Sequence, residues 1–258
     1  MALYTDGSIC EVQDLIAYEA NLVEVADAEA IDLEAKLRLA QSEVGAELGA
    51  AALGPGNVYW TGQTAAHFQR FDLSQVVVTS PLKLWHTFQT LSISYRDAYN
   101  RKLNDKYLPK WTEYKDLSRW AANLLYQTGV GLVLAPVPRP DKPALDAVPG
   151  TLAASAYWVR VTWFDAAGAE SAPSIEAASE TLVNQALRVT PPAAPSGAAK
   201  WNVYAGSASG QLARQNALPL DLGVPWIMPA TGLAAGAAPG DGQQPDLYKT
   251  IPRFLQRG

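Results

Sequence analysis

The chain changes its hydrophobic pattern at residues 135–143, APVPRPDKP, where four of nine residues are proline. Such a run favours extended, fairly stiff backbone and marks a domain boundary. Before it, apolar residues recur at helical spacing, and after it they alternate with a period of two. We therefore predict a multi-domain α+β chain with a helical domain at 1–134, a proline-rich linker at 135–150 and a β-domain at 151–228.

The N-terminal half has the pattern of an α-helical bundle of about four helices. Ser8–Glu11 has the form of a capping box ahead of the first helix, and Asp32 is expected to cap the second. Ser80-Pro81 predicts the start of the third helix, and Gly129 the end of the fourth. The apolar stripes of the first two helices contain Val12, Leu15, Ile16, Leu22, Val23 and Ala26, then Leu33, Leu37, Ala40, Val44 and Leu48.

Residues 54–79 are the least regular part of this half. A loop of that length in a compact domain is often functional, although the same stretch would be explained by an element that the pattern does not reveal. The β-branched run Val76–Val78 is the candidate for a short strand.

The C-terminal half has the pattern of an all-β sandwich of the fibronectin III/Ig-like kind. Alternation over Tyr157–Trp163 predicts one strand with its two faces in different environments. Short strands without helical signals between them favour a β-sandwich. The single cysteine, Cys10, excludes a disulfide-bearing immunoglobulin domain. Further strands are predicted at Ala186–Thr190, Trp201–Ala205, Gln211–Asn216 and Pro225–Met228.

The last thirty residues, 229–258, are predicted to form a linker and an extended C-terminal docking tail. Residues 229–246 are rich in glycine, alanine and proline, which is typical of a flexible linker. An apolar segment follows, and disordered termini are usually polar, so we expect it to dock on a partner; the alternative is that it packs on its own β-domain. The predicted docking residues are Leu247, Tyr248, Ile251, Pro252, Phe254 and Leu255.

Charge is distributed unevenly along the helical half. Residues 1–60 carry eleven acids and two bases, whereas residues 61–140 carry ten bases and five acids. Opposite charges of this kind pair within one chain, pair between neighbouring copies, or simply lie on solvated helix faces.

The composition argues against several classes of function. Two histidines, His67 and His86, and one cysteine do not make up a zinc site. A net charge of −5 argues against a free nucleic-acid-binding protein, and no apolar run reaches the length of a membrane span. Motifs for serine hydrolases, phosphate loops, zinc proteases and dinucleotide binding are missing from the sequence, so we expect no enzyme and no metal or other cofactor.

Several segments of the helical half resemble the connector (adaptor) proteins that join head to tail in tailed bacteriophages. The segments are Leu3–Gly7, Asp14-Leu15, Tyr18-Glu19, Ile31–Leu33, Lys36-Leu37, Ala40-Gln41, Pro81–Thr87 and Tyr95–Asn100. Three segments of the β-half resemble the fibronectin type III-like domains of virion proteins: Tyr157–Trp163, Gly168–Pro173 and Trp201–Tyr204.

The resemblance implies a structural virion protein in the neck, at the head-tail interface, made in the cytoplasm of a host bacterium. It implies a ring, expected to be dodecameric, whose copies contact one another, the portal protein at the capsid vertex, and a tail terminator, tail tube or nozzle protein. Double-stranded DNA would pass through the ring without specific binding, and no membrane is involved. The docking tail would reach the portal, and the residues expected to make lateral ring contacts are Lys102, Lys106, Lys110, Glu24 and Glu29.

The alternative function is a carbohydrate- or receptor-binding virion module that uses the β-sandwich. Alternation places Trp158 and Trp163 on opposite faces of one strand, so one of them is expected at the surface or at an interface. Exposed Trp158 and Tyr204 would then form the binding platform.

Overall fold

The computed structural model of the chain describes residues 1–53, 71–103 and 105–251. Helices and antiparallel sheets occur in the same chain, which confirms the predicted α+β class. No helix among these residues is both long enough and apolar enough to cross a membrane.

The chain divides into two compact units, and each is discontinuous in sequence. The helical unit contains Gly7–Val133 together with the segment from Pro245 onward. The β-unit contains Met1–Asp6 together with Leu134–Gln244. The units therefore differ from the predicted domains at both ends of the chain, because the first six residues cluster with the β-half and the C-terminal segment clusters with the helical half.

The helical unit contains five helices and a small two-stranded sheet among the described residues. Short 3₁₀ turns occur at Leu73–Gln75 and Asp105–Tyr107. The helices are α1 (Val12–Ile16), α2 (Leu22–Ala28), α3 (Leu33–Leu53), α4 (Ser80–Lys102) and α5 (Leu108–Thr128), and the sheet pairs β1 (Val130–Leu132) with β10 (Leu247–Lys249).

The prediction for the first helix is wrong about where the helix begins and about its being one continuous helix. It is two short helices, α1 and α2, and the break between them brings Glu19 within hydrogen-bonding distance of α5. The Ser8 hydroxyl donates to the Cys10 carbonyl oxygen at 2.5 Å and does not cap the helix. Instead, the Asp14 carboxylate accepts a hydrogen bond from the Glu11 backbone N–H at 2.9 Å, so the box lies three residues later than predicted.

The other helix signals are close to the observed ends. Asp32 accepts a hydrogen bond from the Ala35 backbone N–H at 3.0 Å, which confirms its predicted capping role. Helix α5 ends at Thr128 with Gly129 as its C-terminal cap, as predicted, and this glycine has a φ of 101°. Helix α4 begins at Ser80 with Thr79 in the capping position, one residue before the predicted cap. The predicted stripe of the second helix is buried at Leu37, Ala40, Val44 and Leu48.

The β-unit contains eight strands in two antiparallel sheets. One sheet has the order β2-β5-β9, and the other has the order β4-β3-β6-β7, with β8 also pairing with β6. The strands are β2 (Ala144–Leu152), β3 (Ser155–Phe164), β4 (Ala177–Thr181), β5 (Gln185–Thr190), β6 (Lys200–Gly206), β7 (Ala213–Arg214), β8 (Leu220–Asp221) and β9 (Trp226–Ile227).

Both sheets of the β-unit contribute to one hydrophobic core. The inward face of β3 buries Val159, Val161 and Trp163, as its alternation predicts. Trp163 lies opposite Trp201 in the register of β3 and β6. The remaining buried members of the core are Val137, Tyr157, Leu187, Val189, Val203, Ala205, Trp226 and Met228.

Two segments predicted as linkers have defined partners. Residues 144–150 belong to β2, which pairs with β5 because Leu145 and Leu152 pack against the core. Residues 229–244 contain no strand but run along the β-unit, where the Gln243 side chain accepts from the Val137 N–H at 2.7 Å and donates to the Ala135 carbonyl oxygen at 3.0 Å.

Candidate partner-binding surfaces

The C-terminal segment is held to the helical unit by backbone pairing. In the antiparallel register of β1 and β10, Val130 lies opposite Lys249 and Leu132 opposite Leu247. The Ile251 N–H donates to the Tyr126 carbonyl oxygen at 3.2 Å. The start of the predicted docking tail is therefore part of the chain's own helical unit.

Glycine at position 131 permits the close approach of this segment. A Cβ atom at Gly131 would lie 2.9 Å from the side chains of Pro245 and Thr79. On its other side, β1 lies beside the valine run, because the Val77 N–H donates to the Gly131 carbonyl oxygen at 2.9 Å and Val76 forms an isolated bridge with Leu132. The predicted short strand at Val76–Val78 is thus reduced to bridge residues at Val76 and Val77, and β1 has a neighbour along each edge.

The predicted docking residues differ in their exposure. Leu247 and Ile251 are half-buried, whereas the Tyr248 side chain is 57% exposed. Burial lowers the pKa of Lys249, whose Nζ lies 5.2 Å from the centre of the Phe71 ring. The remaining three predicted docking residues, Pro252, Phe254 and Leu255, lie outside the described residues.

Three of the residues predicted for lateral contacts line one cleft of about 430 Å³, which we call the mixed-charge cleft. They are Glu24 on α2, Lys106 in the turn before α5, and Lys110 on α5. Lys110 pairs with Glu19 at 2.9 Å, and Lys106 lies 5.4 Å from the centre of the Tyr107 ring. Three charges of both signs are thus concentrated at one place on the helical unit.

The two other predicted lateral residues are placed differently. Glu29 is buried, and one of its carboxylate oxygens accepts a hydrogen bond from the Tyr107 hydroxyl at 3.1 Å. It therefore supports the chain's own structure at the edge of the mixed-charge cleft. Lys102 is the last residue of α4, and its side chain lies outside the described part of the chain.

Glu19, which lines the mixed-charge cleft, contacts two side chains of α5. The Tyr114 hydroxyl donates to its carboxylate at 2.7 Å, on the same oxygen that pairs with Lys110. Burial alone would raise the pKa of Glu19, but the hydrogen bonds from Tyr114 and Lys110 lower it overall. The carboxylate is therefore held in its charged form by partners within the chain.

The uneven charge of the helical half is matched by ion pairs within the chain. Asp14 pairs with Lys83 at 2.7 Å, and Glu19 pairs with Lys110 at 2.9 Å, so in each pair an acid of the first segment meets a base of the second. These pairs are partly exposed, so each contributes little to stability, about 0–1 kcal/mol. They show that pairing within one chain accounts for part of the charge pattern.

A second cleft, of about 560 Å³, lies among α3, α4 and α5, and we call it the basic cleft. Arg96, Lys115 and Arg119 contribute three cations, and Glu47 is the single carboxylate among the described residues that line it. The uncharged residues that line the cleft are Trp85, Gln89, Ser92, Trp111, Ser118, Ala122 and Asn123.

The walls of the basic cleft are fixed by contacts behind them. The Trp111 ring stacks on Tyr99 with centroids 5.7 Å apart. The Ser118 hydroxyl donates to Gln89 at 2.6 Å, and the Gln89 amide donates to Glu43 at 2.6 Å. Sequence reasoning missed this cleft, although Trp111, Lys115 and Arg119 repeat at four-residue spacing, which places them on one face of a helix.

On the β-unit, the predicted aromatic platform is wrong for Tyr204. Its side chain is only 3% exposed, and its hydroxyl donates to Glu170 at 2.6 Å. Burial, together with this hydrogen bond to Glu170, raises the pKa of Tyr204 to about 12. Trp163 is buried and Trp158 is half-buried, as the alternation predicts, so Trp158 alone remains of the two platform residues.

Two of the three residues considered for nucleophilic or metal chemistry, Cys10 and His86, are buried. The Cys10 thiol is buried beside the Thr87 hydroxyl at 3.3 Å, and burial raises its pKa to about 11. His86 is buried with Nε2 at 3.0 Å from the Leu37 carbonyl oxygen. His67 lies outside the described residues. Among the residues with described structure, no group of three or more His, Cys, Asp or Glu side chains is arranged to hold a metal ion.

Comparison of the chain with models of protein families, with curated proteins and with solved structures finds no match.

Proposed function

We propose that this chain is a structural, ring-forming connector of a tailed bacteriophage that joins the portal at the capsid vertex to the tail. On this proposal the helical unit is the bundle of the connector, and the β-unit is a sandwich of the fibronectin III/Ig-like kind. Support for the sandwich comes from two antiparallel sheets that share one core. Support for the connector comes from the sequence segments that resemble this group of proteins, most of which form α1, α3 and α4.

The observation that carries the proposal is the anchored C-terminal segment. Strand β10 holds the chain on the helical unit as far as Ile251, and the sequence then continues with Pro252, Phe254 and Leu255. An apolar and aromatic segment that starts from a fixed point, next to exposed Tyr248, has the chemistry of a peptide that docks in a partner's groove. We assign this role to Tyr248 and the residues after Ile251, with the portal protein as the partner.

Positively and negatively charged residues line the mixed-charge cleft, and such a surface is suited to a lateral contact between copies. Glu24, Lys106 and Lys110 line it, so one face of the helical unit offers charges that can set the register of a neighbouring copy. The neck is the location that this proposal requires, with double-stranded DNA passing through the ring without specific binding.

Truncation of the chain after Ile251 tests the docking role. This variant keeps β10 and removes Pro252, Phe254 and Leu255, so we expect it to fold normally and to fail to join heads to tails. Removal of Gln256–Gly258 alone is the matched control, and it should leave assembly intact. Electron microscopy and mass spectrometry of purified particles measure the outcome. Normal tailed particles formed with the chain that ends at Ile251 would refute the docking role. Absence of the wild-type chain from purified virions would refute the proposed function.

A further inference from the structure

We propose that the basic cleft of one copy binds the α2–α3 corner of a second copy, where the corner is residues 27–34. The inference rests on the proposed function and names a lateral interface for the ring. The corner is connected through α2 to Glu24 of the mixed-charge cleft, and the basic cleft lies on a different face of the helical unit. On α5, Lys110 and Lys115 are five positions apart, which is about 140° around the helix axis.

The basic cleft has the chemistry of an interface anchor. Tryptophan and arginine are the side chains most often found where protein interfaces gain their binding energy. Here Trp111 is half-buried against Tyr99, with the Lys115 Nζ 5.8 Å from its ring centre, and Arg96 is exposed at the rim. Ser92, Ser118 and Ala122 are small, which leaves the volume of about 560 Å³ open between larger side chains.

The α2–α3 corner has the complementary charge. Asp27, Asp32 and Glu34 are all exposed, and none makes an ion pair with any described residue. Between them the backbone turns at Ala30, whose φ of 49° is left-handed. Ala28 and Ala30, which lie between Asp27 and Asp32, are exposed and small.

A protein surface suits the basic cleft better than a nucleic acid does. Glu47 lines the cleft, and Glu43 and Asp116 lie 4.0 Å and 3.5 Å from the guanidinium groups of Arg96 and Arg119. A polyphosphate backbone would place a continuous line of negative charge against these carboxylates. A corner with three separate carboxylates can pair with the cations without placing a continuous line of negative charge in the cleft.

The contact joins two different surfaces of the same chain. Such a heterologous contact leaves a free cleft on one copy and a free corner on the other, so it repeats until the ring closes. Because the attraction is carried by partly exposed charges, it weakens as the salt concentration rises.

Paired charge reversals on the full chain test the contact. The cleft variant carries Lys115→Glu and Arg119→Glu, and the corner variant carries Asp27→Lys and Glu34→Lys. All four positions are exposed on helices, so both variants should fold, which circular dichroism checks. Lys142→Glu with Lys200→Glu is the control for the cleft variant, because it makes the same change in net charge at exposed positions of the β-unit. Sedimentation velocity at low and high ionic strength measures self-association.

We expect the wild type and the control to associate at low ionic strength, and each reversed variant to associate at least about tenfold more weakly. An equimolar mixture of the cleft and corner variants should associate again, because each reversed surface then meets a surface of opposite charge. A wild type that stays monomeric at every concentration would overturn the proposal, and so would reversals without effect or a mixture that fails to associate. The proposed function is tested separately, by the presence of the chain in purified virions, so the two can fail independently.

Discussion

His86 lies fully buried on α4, and its two ring nitrogens have different surroundings. Nε2 lies 3.0 Å from the Leu37 carbonyl oxygen and donates to it, whereas Nδ1 is buried without a hydrogen-bond partner among the described residues. Burial lowers the pKa of His86, an effect opposed by the Leu37 carbonyl and by the charge of Asp14. The neutral imidazole is therefore the form that the folded chain accommodates.

Replacement of His86 by glutamine tests the titration of this ring. Below the usual histidine pKa of about 6.5, the unfolded chain binds a proton that the folded chain does not, so the free energy of unfolding falls as the pH falls. Glutamine does not titrate, and its amide can still donate to Leu37. We expect the His86→Gln variant to be less stable at about pH 7, with a shallower decline towards about pH 5, in urea unfolding followed by fluorescence. Equal declines in variant and wild type would contradict this account.

At the scale of elements, the small sheet of β1 and β10 shows how one glycine permits a long-range pairing. Gly131 is central in β1, and Thr79 and Pro245 approach it from different parts of the chain. Any larger side chain would separate β10 from β1. This pairing is therefore more sensitive to side-chain volume than the helices around it.

Alanine at position 131 is expected to weaken the attachment of β10. The new Cβ would lie 2.9 Å from carbon atoms of Pro245 and Thr79, so the neighbouring groups must shift, at a cost of about 1–3 kcal/mol. Gly49→Ala is the matched control, because Gly49 lies in α3 with no atom within 4 Å of the added carbon, and it should stabilise the chain by up to about 1 kcal/mol. Thermal unfolding compares the two variants. Equal effects of the two substitutions would show that the close approach at Gly131 is unimportant.

The elements that the sequence predicts correctly are those with a strong local signal. The stripe from Leu37 to Leu48 and the alternation from Tyr157 to Trp163 report burial directly, because each follows the period of one element. Strand β2 was hidden by the proline-rich run before it, and β10 by its length of three residues. The sequence around β10 also holds no information about its pairing partner, because β10 pairs with residues more than a hundred positions earlier.

For the candidate surfaces, too, the sequence predicts what depends on local signals and misses what depends on distant residues. The charge pattern indicated that Lys106, Lys110 and Glu24 would contact something, but not that they share a cleft with Glu19. The burial of Tyr204 depends on Glu170, which is on the loop that follows β3, so alternation within β6 could not reveal it. Whether such a residue is paired, lines a cleft or is buried depends on chain segments that are distant in the sequence.

At the scale of the whole molecule, the C-terminal segment is part of the chain's own helical unit, whether or not a partner is bound. Truncation after Gln244 removes β10 and the hydrogen bond from Ile251 to Tyr126, whereas truncation after Ile251 keeps both. We expect the shorter chain to lose about 2–4 kcal/mol of stability in the helical unit and the longer chain to lose almost none. Hydrogen exchange measured along the chain locates the loss. Uniform protection of residues 71–133 in both variants would contradict the structural role of β10.

The return of the last strand to the first half has a consequence for biosynthesis. Residues 130–132 leave the ribosome more than a hundred residues before their partner at 247–249, an interval of roughly 6–25 s at elongation rates of about 5–20 residues per second. During that time β1 has the valine run along one edge and nothing along the other, while the β-unit is still being translated. Completion of the helical unit is thus a late event, and a nascent chain that stalls before Leu247 presents an open strand edge to every other polypeptide nearby.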